Sequence, residues 1–168
     1  MSFDAKTEML NTKKLQLTLN IIDSGVIYQE YGHEHIEFYF IMKKTHGQNL
    51  NQIMEQNGGS LSPTMVLEIG VQLISIFEKF HELGYLYNDL NLGHIISNKN
   101  GQNLQIVSFS KITPYMKENR HISRKYMIKM AITSDFASEN QIKREISSRR
   151  DDMIQIKNFI NKFVPNGD

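Results

Sequence analysis

Residues 62 to 84 constrain the fold more than any other stretch. Ser62 has the side chain of a helix N-cap, and Pro63 suits the first helical position, where a missing N–H is no loss. Apolar residues then recur at Met65, Val66, Ile69, Leu73, Ile76, Phe77 and Phe80, the period of a helix with one buried stripe, and Gly84 closes the run. Such a helix needs a core against its stripe. With 168 residues, 40% of them apolar or aromatic, the chain can supply that core within one domain.

Outward from this helix the pattern alternates between strand and helix. Gly25–Tyr31 and Glu37–Lys43 are rich in Val, Ile, Tyr and Phe, with Gly32-His33-Glu34 as a turn, so a β-hairpin is expected. A short helix is expected over Asn49–Gln56, ended by Asn57-Gly58-Gly59. After the long helix, Ile95-Ile96 and Leu104–Val107 read as short strands around the turn Asn98–Gln102. Residues 111 to 147 are polar, with only brief helical stretches. Asp151–Phe163 is a helix with Met153, Ile156, Ile160 and Phe163 on one face, and Pro165 stops it. Residues 5 to 20 fit a strand (Leu15, Leu17, Leu19) or a helix, and the first part is read as a helix.

Net charge is +1, from 19 basic and 18 acidic residues, which gives no footprint for nucleic acid or a membrane surface. Cysteine is absent, so disulfides and cysteine zinc sites are excluded. The first ten residues, with Asp4 and Glu8, do not form a secretory signal, and no run approaches the roughly 20 apolar residues of a membrane span.

The order of elements, with particular residues in it, resembles a protein kinase of the casein kinase 1 family. Gln72, Ile74-Ser75, Glu78 and His81 match Q-x-I-S-x-x-E-x-x-H. Ser148-Arg149-Arg150-Asp151-Asp152-Met153 is similar to S-R-R-D-D-M. Ala137-Ser138 with Asn140 resembles A-S-I-N, His121-Ile122 falls where the family has H-I, and Gly47 and Leu50 suit its G-P-S-L. The resemblance covers about residues 20 to 163. It implies an α+β, protein-kinase-like fold: a reduced small lobe in residues 1–44, with a helix and a β-hairpin, and a truncated helical large lobe in residues 45–168 that ends at its central helix.

The same resemblance locates the chemistry. Where the family has H-R-D-I-K-P-D-N, this chain has Tyr87-Asn88-Asp89-Leu90-Asn91-Leu92-Gly93-His94. Asp89 holds the place of the base that accepts the substrate hydroxyl proton. Asn91 replaces the lysine that steadies the phosphoryl group, and His94 replaces the metal-binding asparagine. Ser108-Phe109-Ser110 stands for D-F-G, so a neutral hydroxyl replaces the main magnesium ligand, a poor exchange for a hard cation. There is no G-x-G-x-x-G. The strand lysine has no clear equivalent, since only residue type favours Lys13 or Lys14, and Glu8 matches the regulatory glutamate only loosely. Asp135 stands where the family has an arginine for anionic substrates. Asp152 and Phe109 keep architectural roles, with Arg149 and Arg150 as further anchors through internal salt bridges. The resemblance thus implies a pseudokinase with no cofactor: neither ATP nor magnesium is expected to bind.

Other residues have plainer readings. Asp89 is read as a structural carboxylate bonded by loop amides. His33-Glu34-His35 are surface residues of a turn rather than a metal pair. Tyr85 and Tyr87 are partly buried beside the long helix, and Lys143-Arg144 is a solvated face. Without the helices that follow in a kinase, Ile154, Ile156, Phe159, Ile160 and Phe163 are expected to keep surface in water. At about 25 cal/mol per Å² that calls for a covering partner. The hairpin edge is a second docking candidate. Three function classes follow: a non-catalytic subunit of a hetero-oligomeric protein assembly, a nucleotide-binding switch, and a weakly active serine/threonine kinase. The first is expected, in an intracellular setting, in the cytoplasm or on the cytoskeleton or cilium.

Overall fold

A computed structural model describes residues 21–31, 33–44, 46–109, 111–117, 120–121 and 135–164. The helix expected within residues 5 to 20 lies outside these, as do Lys13, Lys14, Glu8, Ser110 and Ile122. The chain divides into two compact units, Met1–Lys44 and Thr45–Asp168.

In the first unit, β1 (Ile21–Tyr31) pairs antiparallel with β2 (His33–Met42), from Ile21 opposite Met42 to Tyr31 opposite His33. The strands run further than their β-branched and aromatic residues indicate. His33 and Glu34 belong to β2 rather than to a turn, because ladder hydrogen bonds carry polar residues along once register is set. The side chains of His33, Glu34 and His35 are outside the described residues.

The second unit is built on two helices. α1 (Leu50–Gln56) starts at Asn49, whose side chain accepts from Gln52 N–H (2.9 Å) while the Gln52 side chain accepts from Asn49 N–H (3.0 Å). α2 (Pro63–Glu82) starts at Ser62, whose Oγ accepts from Met65 N–H, as the sequence indicates. Its buried face is Val66, Ile69, Gly70, Leu73, Phe77, Phe80 and His81. β3 (Gln48–Asn49), β5 (Ile95–Ser97) and β6 (Gln105–Ile106) form a small antiparallel sheet in the order β3-β5-β6. β4 (Tyr85–Leu86) pairs with β7 (Thr113–Pro114), and β8 (Met116–Lys117) with β9 (Arg120–His121). α3 (Glu139–Ile142) is one turn, and α4 (Arg149–Phe163) packs along α2.

That packing corrects the expectation for the last helix. Ile156 and Phe159 are fully buried, because Phe159 sits between the rings of Phe136 (5.7 Å) and Phe163 (5.5 Å) while α2 covers the same side. They belong to the core and are not an interface. Ile154, Ile160 and Phe163 are half-buried, and Ile160 lies against Gly70, where a Cβ would come within 3.0 Å of its Cδ1. Among the described residues, a row of exposed apolar side chains lies instead on α2. Leu67, Val71 and Ile74, one turn apart on the flank of the buried stripe, are 53%, 67% and 39% exposed. The sequence reading followed the buried stripe and passed over this second one. No helix among the described residues is long and apolar enough to cross a membrane.

Candidate functional site

The loop Tyr87–His94 follows β4 and is held from below by α4. Asp152, with no exposed surface, accepts Tyr87 N–H on Oδ2 (2.9 Å) and Asn88 N–H on Oδ1 (2.8 Å), and its Oδ2 also meets His81 Nε2 (2.9 Å). A carboxylate with three donors is the arrangement that makes a buried charge tolerable. One turn on, Gln155 continues the work. Its Oε1 accepts Leu90 N–H, and its Nε2 donates to Asn88 O (3.1 Å) and Gln141 Oε1 (3.0 Å). Asn88 has φ 65°, a left-handed conformation that asparagine tolerates better than most residues. Its Nδ2 donates to Lys111 O and Thr113 Oγ1.

The neighbouring carboxylate is a second hub. Asp151 accepts Ser138 Oγ–H (2.6 Å) and Asn140 Nδ2–H (3.1 Å) on Oδ1, and Ser148 N–H (2.8 Å) and Oγ–H (2.7 Å) on Oδ2. The Ala137–Asn140 and Ser148–Met153 segments are therefore tied to each other through one side chain. The sequence reading missed Asp151, although Ser148 followed by a carboxylate three residues later has the spacing of a capping box. It also missed Gln141, which follows Ser138 at the spacing of a capping box, and Gln155, for which no local pattern exists. Of the helix motif, Gln72 bridges α2 to the β5–β6 turn, donating to Gly101 O (2.7 Å) and accepting Leu104 N–H (3.1 Å). Ile74, Ser75 and Glu78 face outward.

Among the described residues no loop amide bonds Asp89; those of Tyr87, Asn88 and Leu90 go to Asp152 and Gln155. Instead its Oδ2 lies 3.2 Å from His94 Nδ1. Asp89 is 8% exposed, and burial pushes its carboxyl above the ordinary range, while the charges of His94 and Lys111 pull it partly back. The charged form is thus disfavoured by folding. Stability contributed at this position falls as pH rises from the unfolded value near 3.8 through the raised folded one. Asp89→Asn is expected to raise the melting temperature at neutral pH, with the gain vanishing below about pH 4. Melts at a series of pH values check this.

Two residues expected beside Asp89 have other engagements or surroundings. Asn91 caps the turn Leu92–His94, its Oδ1 accepting Gly93 N–H (2.8 Å), so that oxygen is committed to the backbone. Ser108 is half-buried beside the buried Phe109. Asp89, Asn91 and Ser108 thus offer one carboxylate facing an imidazole, one carboxamide whose oxygen already accepts a backbone N–H, and one hydroxyl, a poor set for magnesium. Tyr87 is buried between Phe77 (5.1 Å) and Phe80 (5.7 Å), more deeply than expected. Its hydroxyl finds no hydrogen-bond partner among the described residues, and burial, with the charges of Asp89 and Asp152, pushes its pKa up.

Arg149 and Arg150 do not form the internal salt bridges expected of them. Both are exposed, neither has an ion pair among the described residues, and the Arg149 guanidinium stands over the Tyr115 ring at 5.8 Å. At the first turn of α4 they point away from the core that Asp151 and Asp152 enter. Asp135, in the arginine's place, pairs with Lys162 at 2.9 Å, so its charge is answered within the chain. No group of three or more metal-ligating side chains occurs among the described residues.

No family model matches the chain. It is similar to the B1 kinase of vaccinia virus (strain Western Reserve), with 23% identity over 88 residues, covering 52% of this chain and 29% of that protein. It is also similar to casein kinase I homolog 1 of Saccharomyces cerevisiae, with 26% identity over 113 residues, covering 64% and 21%. Nucleosomal histone kinase 1 of Drosophila melanogaster is 30% identical over 57 residues, 34% of this chain and 10% of that protein. The chain thus spans less than a third of the length of these relatives. Among solved structures, vaccinia related kinase 3 superimposes with a TM-score of 0.68 at 17% identity, over 95% of this chain and 48% of that one. The chain therefore has an α+β protein-kinase-like fold, and the relatives it resembles in sequence are kinases of the B1 and casein kinase I kind.

Proposed function

We propose that this chain is a non-catalytic, protein-kinase-like subunit that holds other proteins of a hetero-oligomeric assembly, without nucleotide or metal. The donor set around Asp89 carries the reading. The hydrogen bonds that support the loop are complete through Asp152 and Gln155, whereas the groups that would handle phosphate and a hard cation are an amide, an imidazole and a hydroxyl. Phosphoryl transfer draws most of its rate from positioning and from the charge of the metal. A loop kept rigid but stripped of those groups is suited to architecture.

The exposed stripe Leu67, Val71, Ile74 supplies a surface for a partner, since aliphatic side chains at one-turn spacing are the pattern by which a helix docks on another protein. Leu67→Glu with Val71→Glu is expected to leave the melting temperature within a few degrees of wild type, because both side chains are already in water. It is expected to remove the proteins that co-purify with the native chain. Unchanged co-purification would remove this surface from the account.

One observation favours the alternative of a weakly active serine/threonine kinase: Asp89 stands where its charged form is disfavoured, and the similar proteins are named as kinases. A phosphotransfer assay of the natural chain against Asp89→Asn separates the two. Incorporation that depends on Asp89 would overturn the non-catalytic reading; background in both chains supports it.

A further inference from the structure

The resemblance to kinases implies a divalent cation held from the positions of His94 and Ser108, and the geometry around His94 shows what that side chain meets instead. His94 Nδ1 is enclosed, has no hydrogen-bond partner, and faces Asp89 Oδ2 at 3.2 Å. The backbone that carries the ring is held in place. Its backbone N–H donates to Asn91 O (3.0 Å), and its carbonyl accepts Val107 N–H (2.9 Å), so the residue is pinned between the turn and the strand pair β5–β6. The rest of the imidazole is partly open to solvent, with the side chain 35% exposed, while Asp89 is nearly enclosed. Solvent and ions thus meet the imidazole before they meet that oxygen. Lys111 adds a second positive charge in range of the same carboxylate. With the imidazole against it and the Lys111 charge in range, this carboxylate attracts a doubly charged ion less than a bare one would.

We propose that His94 is a built-in occupant of the cation place, its ring covering the Asp89 carboxylate so that the loop is assembled without a divalent ion and is closed to one. The proposal rests on the non-catalytic reading and deepens it. It explains how a carboxylate of this loop persists among donors unsuited to magnesium: the counter-group comes from the chain itself, five residues on. His94→Asn, which removes the ring and returns the asparagine that the family has at this place, should then leave Asp89 uncovered and the loop receptive to metal.

The test is a thermal melt of the whole chain with and without millimolar Mg²⁺ or Mn²⁺, for wild type, His94→Asn, Asp89→Asn and the double variant. The wild-type midpoint is expected not to move with either ion. His94→Asn is expected to melt several degrees lower and to regain part of the loss with Mn²⁺. Adding Asp89→Asn should restore the midpoint and abolish the metal response. A wild type that is stabilised by metal would overturn the proposal. So would a His94→Asn loss that persists without Asp89, which would make the ring a packing element only, or a His94→Asn chain indifferent to metal, which would leave a simple ion pair. If His94→Asn does not fold, His94→Gln takes its place, and the wild-type measurement still decides whether the site is closed. Phosphotransfer read on the same wild-type sample keeps the two claims apart. Metal stabilisation without turnover sinks this proposal alone, and turnover sinks the non-catalytic reading.

Discussion

Asp152→Ala is expected to unfold the Thr45–Asp168 unit under conditions where the natural chain is folded. The carboxylate has no exposed surface and meets three donors, Tyr87 N–H, Asn88 N–H and His81 Nε2, within 2.9 Å. Alanine removes all three acceptor contacts at once and leaves two backbone amides and an imidazole nitrogen buried beside a cavity. Breaking a buried charged pair by removing one partner costs about 3–5 kcal/mol, against a total domain stability of roughly 5–15 kcal/mol. Among the described residues the other side chain of α4 that holds the loop is Gln155, through neutral hydrogen bonds only. Asp152→Asn should cost less, because one oxygen still accepts, but its NH₂ group would face a donor. Chemical denaturation followed by circular dichroism ranks the three chains as wild type, Asp152→Asn, Asp152→Ala. Equal midpoints for wild type and Asp152→Ala would show that the loop is supported elsewhere.

Gly47→Ala is expected to have the next largest effect, and it tests backbone geometry rather than side-chain partnership. Gly47 has φ +152° and lies against β5, so that an added Cβ would fall 2.3 Å from Ser97 O. Neither backbone can yield easily, because Gln48 and Asn49 pair with Ser97 and Ile96 in the next step of the ladder. The unfavourable dihedral and the forced separation each cost about 1–3 kcal/mol. Gly58 provides the control. It also has positive φ, 72°, but nothing lies within 4 Å of its added Cβ, so Gly58→Ala bears only the left-handed conformation, roughly 1–2 kcal/mol. The difference between the two variants isolates the steric cost. If Gly47→Ala is no worse than Gly58→Ala, β3 can shift away from β5 without losing the sheet.

Both experiments concern residues that the sequence reading singled out, yet the reading located them with unequal success. Gly47 was legible as part of a motif, and its steric reason lies in Ser97, fifty residues away. Asp152 was legible as an architectural carboxylate because the Ser148–Met153 run matches a family pattern. His81, its third partner, was quoted from a different motif with no hint that the two meet. Asp89 was placed in the right loop and given the wrong neighbours: loop amides were expected, and an imidazole is there. The arginine pair was expected to turn inward with the carboxylates beside it. Asp151 and Asp152 enter the core, where donors from the loop and from Ser138 and Ser148 meet them, while Arg149 and Arg150 remain outside it.

The sequence by itself determined the local elements and their order. Ser62 and Pro63 start the long helix, Asn49 and Gln52 close a capping box, and the β5–β6 pair and the last helix stand where periodicity places them. These features are encoded within a few residues of one another, because caps, turns and amphipathic stripes are short-range effects. Tertiary structure alone decided which apolar residues of the last helix are covered, leaving Ile156 and Phe159 in the core and the free stripe on Leu67, Val71 and Ile74. It also decided that Asp152 and Gln155 hold the loop while Asp89 faces His94. The loop's donors and their α4 acceptors are 64 to 65 residues apart in the chain, and no periodicity reaches that far. A buried polar group takes its partner from whatever backbone the packing of α2 against α4 brings within hydrogen-bond distance, and that depends on the whole fold.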